Sequence, residues 1–552
     1  MRLWLLLAFV AAAPAQADDA PAYFCQPSQR CWPSPDDWQA LARKLSGPLV
    51  RPAPPPAGIT SPFALQDQPG ATESLGWLDA WTAAPSVYAV EAHGAGDIAA
   101  AIAFAHAHHL RVAIKGTGHD YLGRSTARDG LLIWTHAMRA ITVHDAFVPR
   151  GCKVAAVPAV TVEAGVRWLE AYQEVTGKHG RYVQGGGCTS VGTTGGFLQG
   201  GGFGSWSNKY GIAAASLLEA EVVTADGTIV TANACDHADL FWALRGGGGG
   251  TFGVVTRATL RTYDLPATFG EMVGTITAHS DADYAELIRR IVRFYRTSLA
   301  DEHWGEQITL HGDNTLDVAM SSQGLSADAQ NKVWQPLRAW LDARRGKYDV
   351  ALNAFAIPAT AMWSYDVLAR AHVVTGDPAH WWWTSNQDEV GKTWAAYQSR
   401  WITIDHFEGA RADTLADALF EASRHHALSL HFNKGQAAAA ADARARDREI
   451  AMNPQVLDAA ALVIVADVGG PDRALAEQAR ASVVAAMKPI IAATPGAGSY
   501  VNETDYFEAD WKRAFWGGNY ARLLAIKHKY DPDGVLFCHH CVGSDEALAR
   551  KR

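Results

Sequence analysis

Short apolar runs and one helical stretch alternate in the first half of the chain. Strand-like runs are predicted at 87–90, 112–115 and 131–134, and an alanine-rich helix at 95–108 lies between the first two. Strands separated by a helix are typical of a βαβ unit, so this region is predicted to be α/β structure. Further on, two apolar runs flank an Asp-Gly pair at 226–227 and predict a hairpin.

The pattern changes near residue 266. Longer amphipathic helices are predicted at 281–299, 327–344 and 475–487, and glycines become rarer. Strand-like runs such as 427–432 lie between these helices. Because a chain of 552 residues exceeds the usual size of a single core, we interpret this region as a second domain that covers a site on the first.

Three glycine-rich segments, 115–119, 185–204 and 246–250, interrupt the first of these regions. Ten of the twenty residues from 185 to 204 are glycine, too many for a regular helix or strand. Backbone N–H groups in such loops can cradle a pyrophosphate, so three of them together predict a dinucleotide site. A Rossmann site is disfavoured because the first glycine pair is followed by His119, where that motif requires a helix.

Composition and the N-terminus restrict the class of protein. A formal net charge of -9 gives no electrostatic reason to expect nucleic acid as a partner. The first residues combine Arg2, an apolar run at 3–13 and a small-x-small site at 15–17, which is typical of a secretory signal. No later apolar run reaches the ~18 residues of a membrane span. We therefore expect an exported protein that has neither nucleic acid nor a membrane as partner.

Seven cysteines in an oxidising compartment leave one thiol over. Cys25 and Cys31 are close enough in sequence to form a bridge, as are Cys538 and Cys541. Spacing alone leaves open which two of Cys152, Cys188 and Cys235 form a third bridge. Cys538-His-His-Cys541 is disfavoured as a metal site, since four adjacent positions cannot readily surround one ion, and no metal is predicted.

Several sequence runs resemble one flavoprotein family. The run 114–121, Ile-Lys-Gly-Thr-Gly-His-Asp-Tyr, resembles the FAD pyrophosphate loop of the vanillyl-alcohol-oxidase superfamily, in its berberine-bridge-enzyme-like branch. The run 185–192, Gly-Gly-Gly-Cys-Thr-Ser-Val-Gly, resembles the segment whose cysteine bonds to flavin C6 in that branch, and 500–532 resembles its closing segment. Within the branch, 133–136 and 239–246 are most similar to exported isoamyl-alcohol-oxidase-like proteins.

The resemblance implies bicovalent FAD, with His119 bonded to the flavin C8 methyl group and Cys188 bonded to flavin C6. Taken alone, His119 also fits a hydrogen-bonded loop histidine, and Cys188 fits a disulfide partner. Val191 stands where oxygen-using members carry a small gatekeeper, although one extra residue separates it from the next glycine pair. The other cofactor-binding residues implied are Lys115, Gly116, Thr117, Gly118, Asp120, Tyr121, Ser125, Gly187, Val191, Gly192, Gly195, Gly196, Gly202, Asn519 and Tyr520.

Four residues are the candidates for catalysis. Tyr500 and Asn502 stand where the family places residues that face flavin and substrate, and Tyr500 is a proton acceptor if its environment lowers its pKa. The strand before Gly435 corresponds to the family's substrate-facing strand. Alternation along it directs His431 to one face and Lys434 to the other, and leaves open which face is inward.

The fold class implied is α+β, with a two-lobed FAD-binding domain of the vanillyl-alcohol-oxidase (PCMH) type and an inserted α/β substrate domain. The predicted segments are a signal peptide at 1–17, an N-terminal extension at 18–80, an FAD-binding domain at 81–265, a substrate domain at 266–497 and a closing segment at 498–552. One helix is predicted in the closing segment, over 511–530.

The function implied is a secreted, monomeric oxidase. It removes a hydride from a hydroxylated small molecule (an alcohol, hemiacetal or carbohydrate) to flavin N5, and O2 reoxidises the flavin to give H2O2. One alternative is a dehydrogenase or oxidative bond-forming enzyme acting on a secondary metabolite, which peroxide release would distinguish. Another is a binding protein that has lost its flavin, which would be colourless.

Overall fold

A computed structural model describes residues 24–56, 58–368, 373–387, 389–468 and 470–549. The predicted signal peptide lies outside the described residues. The described part is a mixed α and β structure, and the predicted α+β class is confirmed. Within these ranges, no helix combines the length and hydropathy required to cross a bilayer.

The βαβ unit predicted near the N-terminus is present as a small sheet. Three of its strands run parallel, with the strand before the helix in register with 131–134 and the strand after it on the far side of 131–134. The helix covering them is Ala95–Ala107, one residue shorter than predicted. The strands, in spatial order, are Leu49–Val50, Tyr88–Glu91, Leu131–Trp134 and Val112–Lys115.

A second, antiparallel sheet completes the first lobe. It contains the predicted hairpin, in which Glu221 pairs with Thr231. Its longest strand, Val254–Asp264, has neighbours on both sides and contributes side chains to the core of this lobe. The strands are Ile141–Phe147, Val157–Glu163, Arg181–Val183, Leu217–Val223, Ile229–Asn233 and Val254–Asp264. Short helices beside them are Trp168–Tyr172, Gly196–Gln199, Ser207–Tyr210 and Ala238–Ala243.

The middle of the chain forms a seven-stranded sheet in which every pairing is antiparallel. The strands, in spatial order, are Tyr348–Pro358, Thr268–Ala278, Thr315–Gln323, Trp304–Leu310, Leu428–His431, Ala459–Val468 and Ala395–Thr403. The long helices are Asp281–Phe294, Ala327–Asp342, Gly409–Ser423 and Arg473–Ala493. The first of these ends sooner than predicted because a π-helical turn, Tyr295–Leu299, follows it.

The two faces of this sheet have different neighbours. Leu430 and Val463 point into the core that the long helices share with the sheet. One position along, His431 lies opposite Leu462, which lies opposite Trp401. Leu462 and Trp401 belong to the core of the first lobe, so this face is turned towards that lobe.

The closing segment packs back onto the first lobe. One helix was predicted over 511–530, but two are present, Trp511–Trp516 and Tyr520–Tyr530, because Gly517 takes a left-handed φ of 53°. The indole of Trp516 donates to the carbonyl of Gly246, 3.0 Å away. A last short helix, Ser544–Ala549, follows.

Three disulfides join six of the seven cysteines: Cys25–Cys31, Cys152–Cys235 and Cys538–Cys541. The ambiguity left by spacing is thereby resolved. Cys188 is the free thiol.

Candidate active site

The two loops that carry His119 and Cys188 meet in the folded chain. The Nε2 atom of His119 lies 3.0 Å from the hydroxyl of Ser190. The hydroxyl of Thr117 accepts a hydrogen bond from the backbone N–H of Gly192 at 2.9 Å. Two glycine-rich runs that are distant in sequence, 115–119 and 185–204, therefore form one wall, the glycine wall.

The groups around Cys188 disfavour the ionised form of its thiol. Burial raises the pKa of its thiol well above the ordinary value, and the carboxylates of Glu389 and Glu73 raise it further. The amide of Asn386 donates to its sulfur at 3.2 Å. A raised pKa disfavours the thiolate form of Cys188.

His119 is enclosed by carboxylates. Its Nδ1 atom lies 2.8 Å from Oε1 of Glu73 and 3.7 Å from Oε2 of Glu389. Burial works against a charged imidazole, yet these two carboxylates outweigh it and raise the pKa of His119. Burial, together with Glu73, raises the pKa of Glu389 to about 7.

The N-terminal extension contributes to this site, which sequence reasoning missed. Glu73 belongs to it, and the amide of Gln66 also contacts His119. The ammonium of Lys115 donates to the carbonyls of Gln68 and Ala71 at 2.8 and 2.6 Å. Burial lowers the pKa of Lys115 to about 7. The contacts join residues about forty positions apart or more, so no local periodicity indicates them.

Open space borders the glycine wall. A Cβ atom added at Gly187, Gly195 or Gly196 would meet no other atom within 4 Å. Gly118 and Gly202 differ, since both have a positive φ and a Cβ there would collide with Lys115 and Phe197 respectively. Gly116 is also close-packed, against the carbonyl of Ala164.

The residues after His119 serve different purposes. Asp120 accepts hydrogen bonds from Arg124, one of them at 2.6 Å from Nε. Tyr121 stacks on Tyr397 of the seven-stranded sheet with 4.5 Å between ring centroids. Ser125 is buried, and its hydroxyl has no hydrogen-bond partner among the described residues.

Three of the implied cofactor residues form hydrogen bonds within the protein. Val191 uses its backbone carbonyl to accept from the N–H of Trp168 at 2.9 Å. Asn519 donates to the carbonyl of Met452 at 2.8 Å, and Tyr520 accepts from the N–H of Gly543 at 3.3 Å. Asn519 and Tyr520 thus fasten the closing segment.

Tyr500 lies where the closing segment meets the glycine wall. Its hydroxyl accepts hydrogen bonds from the N–H of Gly202 at 3.1 Å and from the amide of Asn502 at 2.9 Å. Asn502 also donates to the carbonyl of Gly196 at 2.9 Å. Burial and the nearby Glu503 raise the pKa of Tyr500, so the protein's own groups do not meet the condition for Tyr500 to act as a proton acceptor.

Lys434 lies beyond the end of the strand that carries His431, so simple alternation does not apply to it. The strand ends at His431, and a turn in which the N–H of Lys434 donates to the carbonyl of His431 redirects the next residues. Lys434 forms an ion pair with Glu503 at 2.6 Å. Burial and Lys434 lower the pKa of His431 well below its ordinary value, and its buried Nδ1 has no partner among the described residues.

An acidic pair lies beside these groups and was not predicted. Glu306 has a left-handed φ of 66°, and its carboxylate accepts from Ser205 of the first lobe at 2.5 Å. Burial, then the charge of Glu306, raises the pKa of Glu271 to about 7. The conformation of Glu306 was not predictable, because strand alternation assumes ordinary backbone angles.

The site fits a bound flavin by three features of the described residues. It has an unbridged cysteine, a glycine wall bordered by open space, and a set of polar atoms that are buried without a partner. Buried polar atoms ordinarily have partners, so such a set indicates a polar ligand. These atoms are Gln66 Oε1, Glu73 Oε2, Ser125 Oγ, Asn386 Oδ1, Glu389 Oε2, His431 Nδ1 and Asn433 Oδ1.

Two protein families match the chain. The FAD binding domain family matches residues 87–233, and the berberine and berberine-like family matches residues 499–542. An FAD-linked oxidoreductase of Arthroderma benhamiae is 31% identical, with 98% of this chain and 97% of the relative covered. The VAO-type flavoprotein oxidase VAO615 of Thermothelomyces thermophilus is also 31% identical, covering 94% of this chain and 92% of the relative.

Solved structures agree with these matches. The VAO-type flavoprotein MtVAO615 of Myceliophthora thermophila C1 superposes with a TM-score of 0.79 at 27% identity, covering 95% of this chain and 97% of that one. Glucooligosaccharide oxidase from Acremonium strictum, described as containing 6-S-cysteinyl, 8α-N1-histidyl FAD, has a TM-score of 0.65 at 20% identity, covering 83% and 92%. The second likeness establishes the fold alone.

Proposed function

The chain belongs to the berberine-bridge-enzyme-like branch of FAD-linked oxidoreductases, and on this premise we propose a secreted oxidase that holds FAD through two covalent bonds. Its substrate is a small molecule that carries a hydroxyl group. The observation that carries the proposal is the meeting of the His119 loop with the loop of Cys188, the one thiol left free by three disulfides.

Each part of the site has a task in this proposal. His119 and Cys188 anchor the flavin, and the wall at Gly187, Gly195 and Gly196 receives it closely because no Cβ intervenes. Bound FAD supplies the hydride acceptor and passes the electrons to O2, which leaves as H2O2. The protein positions the substrate, excludes water and accepts the proton of the substrate hydroxyl.

His431 is the proton acceptor that the chemistry favours. Its pKa is lowered well below the ordinary value, so the imidazole is neutral at pH 7, and its buried Nδ1 atom has no hydrogen-bond partner among the described residues. Tyr500 is neutral for the opposite reason, since its pKa is raised. We assign Tyr500 and Asn502 to orienting the substrate hydroxyl, and Lys434 to holding Glu503.

The substrate class is a primary or secondary alcohol, a hemiacetal or a carbohydrate. Two structural neighbours, at TM-scores of 0.67 and 0.69, are described as chitooligosaccharide oxidase and carbohydrate oxidase. On the sheet face turned to the first lobe, Gln307 lies opposite His431, and both supply polar groups, which suit a hydroxylated ligand.

Export to an oxidising compartment is part of the proposal. Three disulfides support it, because bridges persist where thiols are not kept reduced. Two covalent bonds suit an exported enzyme, which cannot recapture a lost cofactor. Retention of the cofactor is therefore expected without FAD in the medium.

One experiment tests the cofactor and the reaction together. Purified protein is precipitated with acid, and the flavin absorbance of the pellet is compared with that of the supernatant. All the flavin is expected in the pellet, with an intact mass equal to polypeptide plus one FAD. A panel of alcohols, hemiacetals and oligosaccharides is then scored for peroxide. Flavin in the supernatant refutes the covalent bonds, and turnover with an artificial acceptor but no peroxide refutes the oxidase.

A further inference from the structure

Glu73 stands out because it is a buried carboxylate that the proposed reaction does not use. Its side chain is 3% exposed, and one of its oxygens lies 2.8 Å from Nδ1 of His119. The residue belongs to the N-terminal extension, 46 positions before the histidine. A carboxylate buried at this distance from an imidazole fixes the orientation and the protonation of the ring.

The contacts of the other ring nitrogen set the tautomer. Nε2 of His119 faces the hydroxyl of Ser190 at 3.0 Å and the amide nitrogen of Gln66, both able to donate. An Nε2 atom that accepts leaves the ring proton on Nδ1, where the carboxylate of Glu73 accepts it. Nδ1 is thus the nitrogen from which a proton can be withdrawn.

The extension is fastened on both sides of Glu73. On one side, Lys115 donates to the carbonyls of Gln68 and Ala71. On the other, the N–H of Leu75 donates to the carbonyl of Thr393 at 2.7 Å. The carboxylate is therefore held in place by backbone contacts and does not depend on His119 for its position.

We propose that Glu73 is the base for covalent attachment of the flavin at His119, and that the extension positions it for this step. This inference rests on the proposed function, since it requires a histidyl bond. In the glucooligosaccharide oxidase from Acremonium strictum, the FAD is described as 8α-N1-histidyl, and N1 of the imidazole corresponds to Nδ1. Glu73 lies beside the same atom here.

The step balances as follows. The Nδ1–H bond of His119 and one C–H bond of the flavin C8 methyl group break, and an Nδ1–C bond forms. Glu73 takes the proton from the nitrogen, the methyl proton passes to solvent, and the two electrons reduce the isoalloxazine. Molecular oxygen then reoxidises the flavin and is reduced to H2O2.

A divalent metal is the competing occupant. Glu73, His119 and Glu389 each offer an atom within 4.8 Å of the others, which suits a three-ligand site. The proton on Nδ1 disfavours it, because a metal ligand needs that lone pair free. Metal analysis of the purified protein is therefore one arm of the test, and a stoichiometric metal would overturn the proposal.

The decisive comparison removes the cysteinyl bond first. Cys188→Ala is expected to keep flavin in the acid pellet through His119 alone. In the double variant Glu73→Gln, Cys188→Ala, the native protein is expected to bind FAD and yet release it into the acid supernatant. The rate of attachment, measured by the mass of the His119 peptide after FAD is added in air, is expected to fall ~100-fold or more.

Two further variants separate chemistry from folding, both made with Cys188→Ala. Thr60→Ala alters the same extension at an exposed side chain outside the site and is expected to leave attachment unchanged. Glu73→Asp retains a carboxylate and is expected to attach flavin faster than Glu73→Gln. Equal attachment in the Gln and Asp variants, or attachment in Glu73→Gln at the parental rate, overturns the proposal. If Cys188→Ala itself releases all its flavin, the histidyl bond of the proposed function is what has failed.

Discussion

The imidazole of His119 and the hydroxyl of Ser190 meet at 3.0 Å although 71 positions separate them in the chain. Ser190 lies two positions after Cys188, so this contact brings both candidate flavin anchors to one place. The arrangement predicts how the protein responds when single parts of the site are changed.

Removing the sulfur of Cys188 should leave the flavin attached. In Cys188→Ala we expect one FAD per chain in the acid pellet, held by His119, with a changed absorption spectrum because the substituent at C6 is lost. His119→Ala should keep flavin through Cys188. Intact mass spectrometry measures both variants. Flavin loss from either single variant would mean that the remaining bond does not exist.

A Cβ at Gly196 would fill space that the protein leaves open. Because no atom lies within 4 Å of that position, Gly196→Ala should not lower the thermal stability of protein produced without flavin. It should lower the flavin content of purified protein. Gly96→Ala is the matched control, also free of neighbours, and lies in the helix Ala95–Ala107. There, alanine should stabilise by about 0.5–1 kcal/mol without changing flavin content. Equal flavin content in both variants contradicts a cradle at Gly196.

Loss of the imidazole of His431 should slow turnover and leave the cofactor in place. His431→Phe is expected to reduce kcat/KM by ~100-fold or more, as for removal of a general base. Because burial and Lys434 lower the pKa of His431 well below 6.5, the base is already neutral at pH 6. The wild-type profile should therefore show no decline caused by this group between pH 8 and pH 6. A decline in that window that is absent from His431→Phe would contradict the assignment.

Asp447 should make the protein less stable as the pH rises. Burial raises its pKa to about 7, so the folded chain keeps a proton that the unfolded chain releases near pH 4. The free energy of unfolding therefore falls as the pH rises between these two values, by up to about 1.4 kcal/mol per pH unit. Asp447→Asn imitates the protonated form, and its carbonyl oxygen can still accept from the N–H of Ile212. Its melting temperature should exceed that of wild type increasingly from pH 4 to pH 7. Parallel curves would show that Asp447 is ionised in the folded protein.

Local patterns determined much of the fold. The helix at 95–107 and the strands at 112–115 and 131–134 follow from alternation and periodicity over a few residues, and the structure has them within a residue of the prediction. The break at Gly517 escaped prediction because one glycine inside a helical pattern is compatible with either outcome until its φ is known.

The sequence by itself determined the chemistry available at the site: one unpaired thiol, a histidine after paired glycines, and glycine-rich loops. Only the tertiary structure decided which groups surround them. Glu73 reaches His119 from the extension, and Lys434 reaches Glu503 from a turn beyond the end of its strand. Contacts of this kind join distant positions through packing and burial, which leave no periodic trace along the chain, and burial then sets the pKa values on which the chemistry depends.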